Sequence, residues 1–437
     1  MQDHQTDLVP LAPADLWVRR ADSFRIQMIR WIGLFAILAV PFTASAILAV
    51  IANIVFVVQI LANRGRHTLF LRNLYGLPSL RESGHGPRET PGVTLIVPAR
   101  NEEDAIEAAA RSATALDYPN LAILFVNDHS ADSTGAILDT IALESARVRV
   151  LHDAPAREGW LGKANAVWHA AQQSDSTKPW LALADADVMF HPLALRSAMA
   201  CAESQGLDYL TCVVHLANGS LSEEFYMPAP WAALIQSAHH DQLNDPRTAA
   251  IGVGAFVLVK RDVYIACGGH AAIRDRQPED TLLAALIKKH GGKVGVCWTS
   301  AMMRVRIYRG HRQLQQFIVR KIRVQNNDSL WRLLNRCVLI LIQDALPLPI
   351  AAAAIAAQTL HFGFRISLTF VAISALMAYL TNVASMEKVR VIAYMRPALE
   401  WFHPIGALMR LQFFARAAAQ ILAGKRMEWR GRDFTSK

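Results

Sequence analysis

The sequence predicts an α/β protein, with a mostly parallel sheet covered by helices on both faces and apolar helices at either end of the chain. Three observations carry that prediction. Strand-like and helix-like segments alternate between residues 93 and 187. Acidic residues gather where two strand-like runs stop. Charge-free apolar stretches, long enough for a membrane, flank the whole.

The elements follow in order. Residues 1–30 form a mixed polar segment, unlike an ordinary signal peptide. Trp31 to Leu61 contains no charged residue, and at about 1.5 Å per helical residue it exceeds a ~30 Å hydrocarbon core. A transmembrane or interfacial segment is therefore expected over 31–62. Arg64, Arg66 and Arg72 follow and favour a cytoplasmic exit. A linker over 63–92 ends in a Gly-, Pro- and charge-rich tract. Val93–Val97 then reads as a strand, Asn101 to Leu116 as a helix, Leu121–Val126 as a buried strand, Asp132 to Ala146 as a helix, and Val148–Leu151 and Trp180–Ala184 as strands. This βαβαβ order implies a parallel sheet, in which ligands sit at the carboxyl ends of the strands. Asp128, Asp185 and Asp187 fall there. Beyond 326 the chain turns apolar again. Cys337–Leu360 is one candidate span, Ile366–Met386 a second, and Pro397–Lys425 an amphipathic interfacial helix.

Composition narrows the function classes. Hydrophobic residues make up 53% and the mean hydropathy is +0.21, which suits a soluble middle between membrane ends. A net charge of +9 fits positive residues on cytoplasmic loops; the aromatic residues that interleave basic ones in nucleic-acid readers are missing. Five cysteines lack metal-binding spacing and read as reduced thiols.

The chemistry rests on acids. Asp185-Ala186-Asp187 after a strand can aim two carboxylates at one site. Such hard oxygen ligands suit Mg²⁺ or Mn²⁺ on a diphosphate, where the metal neutralises charge on a leaving group. Asp128 either accepts from a base or ribose or serves a turn, with Asp132 and Ser133 capping the next helix. Glu279-Asp280 either complements a helix dipole or supplies Asp280 as a general base. Lys163 lies in a glycine-flanked turn, without Walker spacing, and can add charge near phosphate. Gly252-Val253-Gly254 and Gly268-Gly269 permit unusual backbone angles or mark simple turns. His311 to Arg323 reads as a basic amphipathic helix, holding lipid head groups or a leaving diphosphate.

Taken together, these residues resemble the GT-A family 2 glycosyltransferases. The resemblance runs from VTLIVPARNEE at Val93 through NDHSADST at Asn127, GWLGKANAV at Gly159, LADADV at Leu183, GVGAFVLVKRDVYIACGGH at Gly252 and PED at Pro278, and covers roughly 90 to 325. The tail Trp429–Phe434 is similar to that of lipid-glycosylating members, and the branch looks ceramide-glucosyltransferase-like or hopanoid-associated. The resemblance implies a GT-A domain over 93–325 and membrane or interfacial helices over 326–437. It implies nucleotide-sugar contacts from Pro98, Arg100, Glu102, Asp128, Lys163, Asp185, Ala186 and Asp187, with Asp187 holding the metal and Asp280 acting as base. Gly254, Glu279, Arg320 and Arg323 are expected near the acceptor or leaving group. The implied protein is an inverting hexosyltransferase with a UDP-sugar donor and a ceramide- or hopanoid-like lipid acceptor. It would lie in a bacterial-type inner or plasma membrane, with its catalytic domain cytoplasmic. A processive polysaccharide synthase and a silent scaffold of the same fold are the alternatives. Two departures stand out: the first acidic pair is Asn127-Asp128, and the late motif appears as Arg320-Lys321-Ile322-Arg323-Val324, without tryptophan.

Overall fold

The computed structural model describes residues 46–437 apart from 77, 81–89, 238–242, 246–247, 249, 300–301, 307, 309, 360–364, 393–394, 426, 430–431 and 435–437. The chain falls into two compact units. One joins Leu71–Ala217 to Ala238–Ile307; the other joins the residues up to Phe70, Asn218–Ser237 and Tyr308–Lys437.

Among the described residues the first unit has ten strands: β1 (Val93–Ala99), β2 (Leu121–Asn127), β3 (Val148–His152), β4 (Trp180–Ala184), β5 (Val188–Phe190), β6 (Tyr209–Val213), β7 (His215–Leu216), β8 (Phe256–Lys260), β9 (Val294–Trp298) and β10 (Met303–Val305). Seven form one sheet in the order β3-β2-β1-β4-β8-β6-β9. The pairs within β3-β2-β1-β4 and the β6–β9 pair are parallel, while β8 runs antiparallel to both β4 and β6. The mostly parallel α/β sheet is thus as expected, with one reversed strand. Every residue of β4 and β6 is buried, because helices cover both faces and leave no polar side to alternate with. Helix Ile106–Thr114 shows the matching stripe, burying Ile106, Ala109, Ala110 and Ala113. Ser79 bridges to Trp298, and Leu80 N–H donates to the Trp298 carbonyl at 2.7 Å. A piece of the expected linker therefore covers part of the β9 edge, which would otherwise be free to pair.

Helix ends are trimmed relative to the sequence pattern. The first helix begins at Ile106 rather than Asn101, because Asn101 adopts a positive φ of 53° and its side chain accepts from Ala131 N–H at 2.8 Å. The second runs Thr134–Glu144. Ser133 makes no side-chain cap there, and Asp132 accepts instead from the Thr134 and Glu103 amides.

The second unit is helical. Helix Ala46–Gly76 runs straight through Arg64, Arg66 and Arg72, where the sequence suggested an exit; the earlier part of the expected 31–62 segment lies outside the described residues. Arg66 reaches Asn63 and Gln343 side chains, so a polar contact inside the unit replaces solvent at that position. The expected span Cys337–Leu360 is broken. Helix Leu330–Ile340 passes through a π turn, Leu341–Ala345, into helix Pro347–Thr359, with a bend of 54°. The π turn leaves the Gln343 carbonyl to accept from Gln59 Nε2 and Asn382 Nδ2 at 2.6 Å each. Helix Arg365–Ile392 contains the expected second span. Among the described residues two helices are long and apolar enough to cross a membrane, over Ala49–Asn73 and Leu368–Arg390, or three if the bent pair counts as one. Val50, Ile54, Val57 and Leu61 on one of them, and Phe370, Ile373, Met377 and Leu380 on the other, are exposed. Apolar stripes of this kind suit hydrocarbon rather than water. Helix His403–Leu422 follows Trp401 and Phe402, and Met427–Trp429 pairs antiparallel with Arg432–Phe434.

Candidate active site

The first corner of the site is the Asp128 turn. β1 and β2 are in register to their last residues, Ala99 opposite Asn127, so both strands deliver their following loops to one edge. Asp128 N–H donates to the Ala99 carbonyl at 2.8 Å, and Arg100 Nη1 donates to the Asp128 carbonyl at 3.1 Å. His129 Nδ1 lies 3.1 Å from Asp128 Oδ1, and the Asp128 residue is 6% exposed. Glu102 N–H donates to Thr134 Oγ1 at 2.8 Å and Ser133 N–H to Glu103 at 3.1 Å, lacing the two loops together. Asn127 turns away from this corner. Its amide meets His152 Nδ1 at 3.1 Å, and His152 Nε2 meets Asp139 at 2.9 Å. A Cβ on Gly135 would come within 2.8 Å of that amide. The departure at Asn127 is a packing choice: the residue is committed to a neighbouring strand and helix.

The second corner follows β4. Asp185 N–H donates to the Ala255 carbonyl at 3.2 Å, which pins the Asp185-Ala186-Asp187 turn beside β8. Lys163, in the first turn of helix Gly162–Gln173, sits between two acids: Nζ is 2.7 Å from Asp185 Oδ1 and 3.0 Å from Glu279 Oε1. Burial opposes the lysine charge, but Asp185 and Glu279 outweigh it and hold its pKa well above the ordinary value. Burial likewise opposes the Glu279 charge, and Lys163 more than compensates, holding it below the ordinary carboxylate value. For Asp187 the counterweights, a backbone hydrogen bond and Lys163, are outweighed. Burial first, then Asp185 and Glu102, push it up to about 7.

The third corner is Asp280, at the start of helix Glu279–Lys289. The sequence left Gly252-Val253-Gly254 open between turns and function, and packing decides it. A Cβ on Gly252 would fall 2.2 Å from the Asp280 carbonyl, and one on Gly254 would fall 3.2 Å from Asp280 Oδ2. Thr211 holds this segment by exchanging hydrogen bonds with the Val253 amide and carbonyl at 2.9 and 3.0 Å. Asp280 Oδ1 accepts from Thr281 N–H at 2.8 Å. Burial, followed by the adjacent Glu279, raises Asp280 to about 6. Both acids lie in the first turn of this helix, at its positive end, as the helix-dipole reading expects.

Beneath it, Gly268 and Gly269 have φ of 81° and 46°, and a Cβ on Gly269 would strike Tyr264 at 2.6 Å. Tyr264 Oη lies 2.8 Å from His270 Nδ1, and burial lowers His270 to about 4. The double grip of Lys163 was not legible in the sequence, because Asp185 and Glu279 lie far from it in the chain, and Tyr264 and His270, only six residues apart, meet because the Gly268-Gly269 turn folds them together. The expected Pro98 lies in β1 opposite Val126, and Ala186 is buried between the two acids. Arg320 and Arg323 belong to the helical unit. There Arg323 is 5% exposed and forks onto Asp328 at 2.9 Å through both nitrogens, and the Arg320 guanidinium lies 5.2 Å from the Phe317 ring centroid.

A buried carboxylate with a pKa near 6, an acidic turn with surplus negative charge, and a carboxylate by the first βα loop together suit transfer from an anionic, metal-bound donor. Among the described residues no three His, Cys, Asp or Glu side chains form a ready-made metal cage. The residues fit a divalent ion in another way: Asp187 offers one oxygen ligand in a field that favours added positive charge, leaving other positions to ligand oxygens.

Comparison with known proteins agrees in class. Residues 94–268 match the model of glycosyl transferase family 2, so this stretch is a glycosyl transferase family 2 domain, GT-A-like in architecture. The chain is 28% identical over 186 residues to beta-monoglucosyldiacylglycerol synthase of Trichormus variabilis, 41% of this chain and 38% of that protein. It is 33% identical over 105 residues, 23% of each chain, to the probable glycosyltransferase YdaM of Bacillus subtilis. The match thus spans well under half the length of these curated relatives. Among solved structures, the mannosyltransferase PcManGT from Pyrobaculum calidifontis, in complex with GDP-Man and Mn²⁺, superposes with a TM-score of 0.47 at 17% identity, covering 86% of this chain and 99% of that one.

Proposed function

We propose that the protein is a membrane glycosyltransferase that moves a sugar, with inversion, from a nucleotide sugar to the hydroxyl of a lipid. The observation that carries the reading is the Asp280 carboxylate, seated on Gly252 and Gly254 and kept near a pKa of about 6, in the same unit as the Asp185-Ala186-Asp187 turn. Asp280 takes the proton of the acceptor hydroxyl as its oxygen bonds to the anomeric carbon. The bond from that carbon to the diphosphate oxygen breaks, and the nucleoside diphosphate leaves. A base near neutral pKa suits this transfer. Asp128, with Arg100 and Glu102, receives the nucleoside. Asp187 is the residue to hold Mg²⁺ or Mn²⁺, which when bound supplies neutralisation of the diphosphate charge. Lys163 keeps Asp185 and Glu279 in place by bridging them. UDP is the nucleotide expected from the family resemblance.

The lipid acceptor is supported by the likeness to beta-monoglucosyldiacylglycerol synthases and by the apolar helices. A cytoplasmic catalytic unit is part of the proposal. The intact set Asp128, Asp185, Asp187 and Asp280 speaks against a silent scaffold. The test is nucleotide release by purified protein given UDP-sugars and a membrane lipid extract, with Mg²⁺ or Mn²⁺ and then EDTA. Metal-dependent release that requires lipid and disappears in Asp280→Asn is expected. Release that persists in Asp280→Asn would overturn the assignment of the base.

A further inference from the structure

The Asp128 turn holds a side chain that the proposed transfer leaves unused. His129 has a φ of 56°, in the left-handed region that glycine adopts freely and that other residues enter at a cost. Histidine enters it more readily than most, yet packing does not ask for a ring here, since the His129 side chain is 40% exposed. A glycine would suit this backbone better. What glycine lacks is the imidazole.

That imidazole meets the neighbouring acid. Its Nδ1 lies 3.1 Å from Asp128 Oδ1. An ionised carboxylate only accepts, so Nδ1 carries the proton and donates it. The second oxygen, Asp128 Oδ2, stands 3.9 Å from Arg100 Nη1, beyond hydrogen-bond reach, while Nη1 donates to the Asp128 carbonyl at 3.1 Å. The turn thus ties down Oδ1 and leaves Oδ2 for a donor on a ligand.

The backbone beneath is already fixed. Asp128 N–H donates to the Ala99 carbonyl at 2.8 Å and His129 N–H to the Asn127 carbonyl at 3.1 Å. Across the turn, Asn101 N–H donates to Ser130 Oγ at 3.0 Å, and Asn101 Oδ1 accepts from Ala131 N–H at 2.8 Å. The freedom that remains is in the Asp128 side-chain torsions, and a charge-assisted bond from His129 removes it. Asn127 makes this matter: it is committed to His152 at 3.1 Å, which leaves Asp128 as the carboxylate of this strand end.

We infer that His129 is a positioning residue for the nucleoside of the donor: its imidazole fixes the Asp128 carboxylate so that Oδ2 accepts from an N–H or O–H of the base or ribose. The inference rests on the proposed function in that Asp128 receives the nucleoside. It places the effect of His129 at the nucleoside end of the donor and not at the diphosphate.

The test is calorimetric titration of the full chain in phosphatidylcholine nanodiscs with Mg²⁺, using UDP and, separately, inorganic pyrophosphate; GDP replaces UDP if the parent binds GDP instead. His129→Gly is expected to weaken the nucleotide about tenfold, the worth of a hydrogen bond to a charged group, with pyrophosphate within about twofold of the parent. Its melting temperature should equal or exceed the parent's, because the left-handed backbone is relieved. His129→Phe keeps a ring and removes the donor, and it should weaken the nucleotide to the same degree. In turnover the loss should fall on the donor KM, with kcat little changed. Parent-like nucleotide affinity in the folded variants, equal loss of nucleotide and pyrophosphate, retention by His129→Phe of what His129→Gly loses, or a melt of His129→Gly well below the parent's would overturn the inference alone. A parent that binds neither nucleotide would overturn the proposed function, and this inference with it.

Discussion

The two units both bury charge, but they balance it differently. In the sheet unit, Asp185, Asp187, Glu279 and Asp280 gather around Lys163, which bonds only two of them. In the helical unit, Glu224, Asp328, Asp344 and Glu400 each meet an arginine. Burial first, and then the neighbouring acids, raises Asp187 to about 7 and Asp280 to about 6. The paired cluster sets each of these acids against a cation. Surplus charge thus marks where chemistry is proposed, and matched charge marks where the fold is held.

The sharpest way to break this contrast is Asp280→Asn, which keeps the shape and removes the base. Transfer is expected to fall about 10²- to 10⁴-fold, read as nucleotide release. Asp187→Ala comes next, with a loss of roughly 10²- to 10³-fold, the equivalent of several kcal/mol of leaving-group stabilisation; added Mn²⁺ or Mg²⁺ should no longer rescue an EDTA-treated sample. Gly252→Ala puts a methyl 2.2 Å from the Asp280 carbonyl and must displace the base. About 100-fold loss of kcat with retained circular dichroism is the expected outcome.

Milder effects test the charge balance itself. The rate should rise with pH through about 6, roughly tenfold per unit below it, because only ionised Asp280 accepts a proton. A flat profile from pH 5 to 8 would contradict the base. The smallest effect concerns stability. Asp280 is raised in the fold, so its charge destabilises the folded state. That cost is absent below the unfolded value near 3.8, grows as pH rises towards about 6, and is full above it. Asp280→Asn should therefore stabilise the protein at pH 8 by roughly 1–3 kcal/mol and lose that advantage at pH 4, as read by thermal melts at the two pH values.

The order of the sheet was legible wherever a short run of apolar residues met a polar stop. Trp180–Ala184 and the strand ends carrying Asp128 and Asp185 came directly from that pattern, because strands buried on both faces leave no alternation to misread. Helix starts were less legible. Asn101 and Asp132 sit in helix-like sequence, yet their side chains cap the opposite loop, a choice made across about 30 residues of chain. The helix also runs on through Arg64, Arg66 and Arg72, where the sequence suggested a membrane exit followed by a linker. A charge that finds Asn63 and Gln343 need not mark the end of an apolar helix.

By itself the sequence determined the α/β alternation, the apolar helices and the identity of the acids, since each is written in residue type and local period. Only the tertiary structure decided how those acids are used. Lys163 lies 22 residues from Asp185 and far from Glu279, and it bridges both because three separate strand and helix ends converge. Asn127 became a packing residue because His152 on β3 reached it first. Gly252 and Gly254 gained their purpose only when the Asp280 backbone closed on them. Electrostatics and steric fit act through space, and the chain order carries no record of which distant groups will meet.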